Sequence, residues 1–184
     1  MTFNQRSTDD ALLQGCREGN RLAQKYLYQR YFGKLFGIAM RYTNGREEAQ
    51  EVMNLSFLKI FESIHQFREI GSFAGWMARI VLHTAIDHAR SKSSYRRVMD
   101  FNTQADTPIS SDAISQLATE EIMTLIQQLP AATRTVFCLY VIEGYKHHEI
   151  ASTLGIDEGT SKWHLSNARR LLQPRILKQQ EIKQ

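Results

Sequence analysis

Apolar residues recur at every third or fourth position through most of this sequence, and that spacing limits the possible folds more than any other feature. Over residues 27–42 they would share one face of a long helix. The same period returns over residues 49–64, 73–81 and 117–129. Val and Ile fall inside these patterns, and no alternating run is bounded by turn residues, so strands are not indicated. The sequence therefore predicts an all-α fold.

Turn and capping residues divide the N-terminal half into helices. A short helix is predicted near residues 9–17, and Asn44-Gly45 ends the long helix that follows it. The next helix begins near Arg46, and another begins near Ser72, whose hydroxyl suits an N-cap. Together they predict one small helical domain over residues 1–93.

The helical period fades between about Ser94 and Ser115, where polar and turn-forming residues accumulate around Pro108. This composition is typical of a flexible linker, which we predict at residues 94–116. Apolar spacing then returns, and Pro130 marks the first turn of a helix that runs to Gly144. A second helical domain is predicted over residues 117–184.

Basic residues cluster in two places, although the formal net charge is only +4. Residues 68–97 carry six basic and two acidic side chains, and residues 160–184 carry six and one. Residues 98–124 reverse this balance, with five acidic and no basic side chains. Two basic patches thus flank an acidic connector, as expected of solvated helix faces or of surfaces that bind a polyanion.

The second basic patch lies in a segment with the form of a helix-turn-helix. A short helix over residues 147–154 is followed by a turn at Gly155, and Asp157 can cap the next helix. That helix would bury Ser161, Leu165, Ala168 and Leu172. Its outward face, with Lys146 before the first helix, offers side chains suited to phosphates and base edges in the major groove. They are Lys162, Trp163, Ser166, Asn167, Arg169 and Arg170.

Two blocks of sequence carry a family resemblance. LPAATRTVF at 129–137, followed by EIA at 149–151, LGI at 154–156, GT at 159–160 and AR at 168–169, resembles region 4 of extracytoplasmic-function sigma factors. Upstream, FR at 67–68 and SFAGWMARI at 72–80, with Asp87 and Arg90, resemble region 2 of the same family. The resemblance covers about residues 9–172, with both blocks in the family's order.

The resemblance implies that the helix over residues 47–64 docks on the clamp coiled coil of the largest subunit of core RNA polymerase. Gln50, Asn54 and Leu55 depart from the family's usual acidic run. A solvated helix face is the alternative for each polar residue. The candidates for polymerase binding are Glu47, Glu48, Glu51 and Asn54.

The resemblance also implies that residues 67–73 and the following helix capture unstacked bases of the minus-ten element. Aromatic rings can stack on bases while cationic side chains hold the backbone. The candidates are Phe67, Arg68, Ser72, Phe73, Arg79, His83 and Arg90. Phe73 could also be core, Arg79 could instead pair with a carboxylate of the fold, and Trp76 is expected in the core. His83 stands where many relatives carry Asn.

Region 4 is implied to read the duplex minus-thirty-five element through the outward face of its second helix. Ser161, Trp163 and Asn167 replace residues common in the family, namely Val, a small polar residue and Arg. Promoter preference therefore does not transfer from relatives. Packing on a neighbouring helix is favoured for Trp163 over contact with a thymine methyl group.

The sequence is identified as a sigma factor, with core RNA polymerase, promoter DNA and an anti-sigma factor as expected partners. An enzyme is not indicated, because phosphate-loop, G-x-S-x-G and H-E-x-x-H motifs are absent. Adjacent His147 and His148 would point about 100° apart on a helix, so they are expected at the surface near DNA phosphates. The remaining alternative is a helix-turn-helix repressor or activator that acts without core polymerase.

No cofactor or metal is expected, and Cys16 and Cys138 lie too far apart in the sequence to suggest a zinc site. Both are expected as buried thiols. No apolar run approaches the roughly 18 residues of a membrane-spanning helix. The protein is therefore expected to be cytoplasmic, without membrane insertion of its own.

Overall fold

The computed structural model describes residues 3–68, 70–91 and 119–182. Within these ranges the chain forms eight α-helices and no strand, which confirms the predicted all-α class. The helices fall into two compact units, residues 1–88 and residues 89–184. The predicted linker, residues 94–116, lies outside the described residues, so its boundaries stay a prediction.

The N-terminal unit contains three helices and residues 73–88 of a fourth. They are α1 (Asp9–Arg17), α2 (Arg21–Tyr42), α3 (Arg46–Ser63), which continues as a 3₁₀ turn (Ile64–Gln66), and α4 (Phe73–Ser91). The predicted stripe of α2 is buried as expected, since Leu27, Tyr31, Leu35, Ala39 and Tyr42 are each at most 4% exposed. Periodic burial of apolar surface is thus the main source of this unit's stability.

Capping side chains set where these helices begin. The Asn20 carboxamide accepts hydrogen bonds from the first backbone N–H groups of α2. Ser72 caps α4 as predicted, because the N–H of Gly75 donates to its Oγ at 3.3 Å. Between α2 and α3, Gly45 has φ of +141°, a conformation that a residue with a side chain rarely adopts. The turn after Tyr42 therefore depends on glycine.

An ionic network fastens the N-terminal segment to α2. Arg30 donates to the Asp9 carboxylate at 2.7 Å and to the carbonyl oxygens of Gln5 and Ser7. The Tyr31 hydroxyl donates to the second oxygen of Asp9. Burial alone would raise the pKa of Asp9, but the hydrogen bonds from Tyr31 and Arg30 outweigh it and lower that pKa. Burial and the Asp9 contact raise the pKa of Tyr31 to about 12.

The C-terminal unit contains the other four helices. They are α5 (Thr119–Gln127), α6 (Ala131–Phe137), which continues as a π-helical turn (Cys138–Ile142), α7 (His147–Leu154) and α8 (Glu158–Ile182). Pro130 was predicted in the first turn of this helix and occupies the N-cap of α6, directly before that turn. Arg134 is 2% exposed and donates to the Gln127 carbonyl at 2.9 Å, which satisfies an orphan acceptor at the end of α5.

Residues 147–172 form the predicted helix-turn-helix. Gly155 ends α7 in the left-handed conformation, and its N–H donates to the Ala151 carbonyl at 2.9 Å. The buried stripe of α8 also agrees with prediction, since Ser161, Leu165, Ala168 and Leu172 are all at most 4% exposed. Among the helices described, none combines the length and apolar character needed to cross a membrane.

Candidate nucleic-acid interface

The outward face of α8 presents a short row of polar and cationic side chains. Lys162 and Arg170 are exposed, while Asn167 and Arg169 are half-buried. An Arg170 guanidinium nitrogen donates to Asn167 Oδ1 at 2.8 Å, so these two side chains form one hydrogen-bonded pair. This pair holds the Asn167 amide in a fixed orientation, and the amide nitrogen keeps its donor capacity.

Lys146 and Lys162 extend this row at the ends of the two helices. Lys146 is exposed at the N-cap of α7, where its backbone N–H donates to the Glu149 carboxylate at 2.7 Å. Lys162 lies 3.6 Å from the Glu158 carboxylate, and both side chains are more than half exposed. An exposed pair of this kind is weak, so Lys162 can exchange Glu158 for a phosphate at little cost.

Ser166 does not lie on the outward face, and its predicted placement there was wrong. Its side chain is 7% exposed. Three helices, α5, α6 and α7, contact α8, so the buried arc of α8 is wider than the predicted stripe. A hydroxyl in this position cannot reach a base edge while the unit stays folded.

His164 is a buried residue that the sequence did not single out. It is 0% exposed, and its Nδ1 lies 3.0 Å from the Thr133 hydroxyl of α6. Burial lowers the pKa of His164 to about 4, so the ring is neutral near pH 7. Trp163 is half-buried and meets His164 edge to face at 4.8 Å, as expected for a packing role. Trp163 and His164 therefore help to pack α8 against α6.

His147 was expected at the surface near phosphates, but its ring is only partly exposed. The ring is half-buried, stacks on Tyr140 at 4.6 Å between ring centroids, and places Nδ1 2.9 Å from the Ser161 hydroxyl. Burial, followed by the charge of Lys162, lowers the pKa of His147. The residue therefore joins α7 to α8 through Nδ1, whereas His148 is exposed.

The loop before α4 presents two of the residues predicted to bind the minus-ten element, and α4 presents three more. The exposed side chains are those of Arg68, Ser72, Arg79, His83 and Arg90. Phe73 is half-buried and stacks with Trp76 at 5.8 Å between centroids. These groups are accessible to a nucleic-acid strand.

Phe67 is not accessible, and its predicted exposure in the loop was wrong. Its side chain is 6% exposed and packs at 5.1 Å from Phe73 and 5.5 Å from Trp76, measured between ring centroids. Its carbonyl oxygen accepts a hydrogen bond from Arg17 at 2.8 Å. Burial of an apolar ring in this cluster has a lower free energy than its exposure to water. Phe67 therefore anchors the loop.

A groove of about 500 Å³ lies between α3 and α4, and the sequence did not reveal it. Trp76 lines the groove and is partly exposed. The sequence had placed Trp76 in the core, and that expectation is met only in part. Arg79 and His83 also line the groove, which brings two predicted residues together. The other lining residues are Lys59, Glu62, Ser63, Gln66, Ile80 and Thr84. An aromatic ring beside cations and amides is a set suited to an unpaired base.

The outer face of α3 carries the predicted polymerase candidates. Glu47, Glu51 and Asn54 are exposed. Glu48 is half-buried, and its carboxylate accepts a hydrogen bond from the N–H of Asn44 at 3.0 Å, so it also holds the turn before α3.

Two apolar residues share the outer face of α3. Leu55 is 43% exposed and Leu58 is 55% exposed. The helical repeat places them beside Glu51 and Asn54, although the residues predicted to bind polymerase on this face were all polar. This face therefore combines carboxylates with exposed leucine.

The sequence matches two family models. The family model for Sigma-70 region 2 matches residues 27–95, and the model for Sigma-70 region 4 matches residues 119–172. Together the two matches span most of the chain. They define a sigma-70-type transcription factor that has a region 2 and a region 4.

Curated relatives narrow the class. The ECF RNA polymerase sigma-E factor of Haemophilus influenzae is 26% identical over 182 residues, covering 92% of this chain and 95% of the relative. The RNA polymerase sigma-H factor of Pseudomonas aeruginosa is 28% identical over 178 residues, covering 89% and 91%. The sigma-E factor of Escherichia coli K12 is 22% identical over 186 residues, covering 95% and 97%.

The chain belongs to the extracytoplasmic-function sigma factor family. It is a sigma factor that directs transcription initiation together with core RNA polymerase. This assignment excludes the alternative of a helix-turn-helix regulator that acts without the polymerase.

Proposed function

We propose that the groove between α3 and α4 receives unpaired bases of the nontemplate strand at the minus-ten element. The observation that carries this proposal is the convergence of Trp76, Arg79 and His83 in one groove. The Trp76 ring offers a stacking surface, and the cations Arg79 and Lys59 can hold the adjacent phosphates. Lys59 lies 4.0 Å from Asp87 across the two helices, an exposed pair that a phosphate can replace.

The residues around the groove would guide the strand. Arg68 and Ser72 lie exposed on the loop before α4, and Arg90 lies exposed near the end of that helix. Phe73 is partly exposed and can extend the stacking surface of Trp76. Phe67 has no place in this path because its ring is buried.

Region 4 would read the duplex minus-thirty-five element through α8. The Asn167 amide can bind adenine, while Arg169 and Arg170 can bind guanine or phosphates. Lys146 and Lys162 would hold the phosphate backbone on either side. The hydrogen bond between Arg170 and Asn167 supports a joint role, since a preoriented pair loses less conformational freedom on binding.

The outer face of α3 would dock on the clamp coiled coil of the largest polymerase subunit. Glu47, Glu51 and Asn54 supply charge and hydrogen bonds, and Glu48 contributes charge while it holds the turn. Leu55 and Leu58 supply exposed apolar surface, which an interface core favours over charge. The protein would thus act in the bacterial cytoplasm, where the polymerase acts, and an anti-sigma factor would regulate it as in its family.

Run-off transcription tests these assignments together. Purified protein and core polymerase are incubated with genomic fragments, and defined transcripts should appear only when both proteins are present. The same fragments then supply a promoter for measuring duplex binding and strand opening separately. If no fragment gives a transcript that depends on the protein, the proposed division of the promoter has no support.

A further inference from the structure

The backbone of Phe67 is held by a side chain from α1. A guanidinium nitrogen of Arg17, Nη2, donates to the Phe67 carbonyl oxygen at 2.8 Å, across 50 residues of chain. The N–H of Phe67 donates to the Ile64 carbonyl at 3.3 Å, which closes the 3₁₀ turn. Both polar groups of this peptide backbone are therefore paired, and one of the two pairings depends on Arg17.

Phe67 is the fixed point from which the loop before α4 departs. Its ring is buried against two aromatic residues of α4, and on the far side of the loop the Ser72 hydroxyl caps that helix. Between these two points Arg68 is exposed and Ile70 is 85% exposed. The bond from Arg17 therefore fixes the direction in which the chain leaves the aromatic cluster.

The bond from Arg17 is of a kind that can restrain a loop. Its donor is charged, and hydrogen bonds with a charged partner are stronger than those between neutral groups. It is partly buried, so water competes for it less than at the surface. Arg17 lies in the last turn of α1, which also contacts the 3₁₀ turn. Helix α1 thus acts as a fixed support for the start of the loop.

We propose that Arg17 is a positioning residue for strand capture, which holds the loop before α4 ready to receive the nontemplate strand. The inference rests on the proposed path of that strand past Arg68 into the groove. A loop that is ordered in advance loses less conformational freedom on binding, which favours opening of the promoter. The match to Sigma-70 region 2 begins at residue 27, so α1 lies outside the family model that covers the loop.

The test compares Arg17→Met, which removes the donor and keeps an apolar stem, with Arg17→Lys, which keeps a cationic donor. Holoenzyme is assembled on a promoter obtained by run-off transcription, and strand opening is measured by permanganate reactivity of unpaired thymines. Arg17→Met should reduce opening by about two- to tenfold, the cost of ordering one long side chain on binding. Binding to closed duplex should stay normal. Arg17→Lys should retain most of the opening.

Arg30→Met is the matched control. Arg30 also donates to backbone carbonyls of the N-terminal unit, but to those of Gln5 and Ser7 and not to the loop. This variant should leave opening near normal even where it lowers the urea midpoint of the free protein. Equal losses of opening in Arg30→Met and Arg17→Met would overturn the proposal, since they would follow from reduced stability alone.

Two further measurements separate a positioning role from a purely structural one. In an Arg68→Ala background Arg17→Met should cause a smaller loss of opening, because the two residues act through the same loop. The same fold-loss in both backgrounds would contradict the inference. In the free full chain, Arg17→Met should also speed tryptic cleavage after Arg68, because a loosened loop is a better protease site. An unchanged cleavage rate would show that Arg17 does not restrain the loop.

Failure of this inference can be told apart from failure of the proposed strand path. If Arg68→Ala and Arg79→Ala both reduce opening while Arg17→Met does not, the strand follows the path and only the role of Arg17 is wrong. If none of the three variants changes opening, the strand does not pass this loop and groove, and both proposals are overturned.

Discussion

The ring of Phe3 covers Gly15 of α1 so closely that a Cβ at this glycine would lie 2.4 Å from the Cζ of Phe3. The same atom would lie 2.7 Å from the Cβ of Ala23 in α2. Phe3 is itself only 5% exposed. The N-terminal segment is therefore part of the core of the N-terminal unit, and its packing requires a residue without a side chain at position 15.

Gly15→Ala should destabilise the N-terminal unit, because the new methyl group must displace Phe3 or separate two helices. Overpacking of this kind costs about 1–3 kcal/mol. Urea unfolding of the full chain measures the change, followed by Trp76 fluorescence in a Trp163→Phe background.

Gly37→Ala in α2 is the matched control, since no atom lies within 4 Å of its added Cβ. Alanine in a helix interior should stabilise that site by about 0.5–1 kcal/mol. If both substitutions raise the stability equally, Phe3 does not pack on Gly15 in solution.

The C-terminal unit should lose stability in mild acid because of His164. Burial lowers the pKa of His164 to about 4, whereas an unfolded histidine titrates near 6.5. The unfolded chain therefore takes up a proton first as the pH falls from 6.5 toward 4, and the stability present above pH 6.5 is lost across that window. Between pH 7 and pH 5 the loss should reach about 2 kcal/mol. The lowered pKa of His147 acts in the same direction.

Urea unfolding at the two pH values, followed by Trp163 fluorescence in a Trp76→Phe background, measures this slope. His164→Gln should flatten it. His148→Gln is the control, because His148 is exposed and its replacement should leave the slope unchanged. An unaltered slope in His164→Gln would assign the acid sensitivity to another group.

The sequence predicted the helices and their buried faces well, because local spacing determines which side of a helix is apolar. The stripe of α2 and the turn at Gly155 both depend on such local rules. The groove between α3 and α4 could not be predicted in this way. Its residues on α3, such as Lys59 and Glu62, read as an ordinary solvated face until α4 packs beside them.

Errors arose where tertiary packing overrides a local pattern. Ser166 is a polar residue in a basic segment, but neighbouring helices bury it. Phe67 belongs to a loop motif, yet its ring packs against Phe73 and Trp76. Burial of an apolar ring stabilises the fold more than its exposure to water would. The π-helical turn after α6 was also missed, since the bond from the N–H of Glu143 to the Cys138 carbonyl leaves no spacing signal.

Charge reversal on the outer face of α3 should weaken binding to core polymerase. Glu47→Lys combined with Glu51→Lys should reduce affinity by about tenfold at low salt and less at high salt, because salt screens exposed charges. Leu58→Ser should also weaken binding without loss of stability, since Leu58 is 55% exposed in the free protein. Glu48 is unsuitable for this test, as its carboxylate holds the turn at Asn44.

Binding of labelled protein to core polymerase at two salt concentrations measures the effect. Asp10→Lys combined with Glu18→Lys, at exposed positions at the two ends of α1, changes the net charge by the same amount and is the control. Equal weakening by the control would point to long-range attraction rather than docking of α3.

Asn167→Ala should impair recognition of the minus-thirty-five element by about 1 to 3 kcal/mol, the value of a bidentate contact to adenine. The loss should depend on the base pair it faces. Holoenzyme binding to closed duplex promoter and to single-base variants measures it. Opening of a premelted template should stay near normal. Arg170→Ala should cause part of the same loss, because Arg170 holds the Asn167 amide.

Arg79→Ala should have the opposite pattern, with normal binding to closed duplex and reduced strand opening. Arg79 is exposed at the groove between α3 and α4, so its removal should not disturb the core. Its loss removes a cation from the strand path, and we expect permanganate reactivity of the unpaired thymines to fall about fivefold or more, roughly 1 kcal/mol. Lys25→Ala, an exposed cation on α2, should change neither step. If Arg79→Ala instead weakened duplex binding and left the opened fraction of bound promoter unchanged, the groove would not be the site of strand capture.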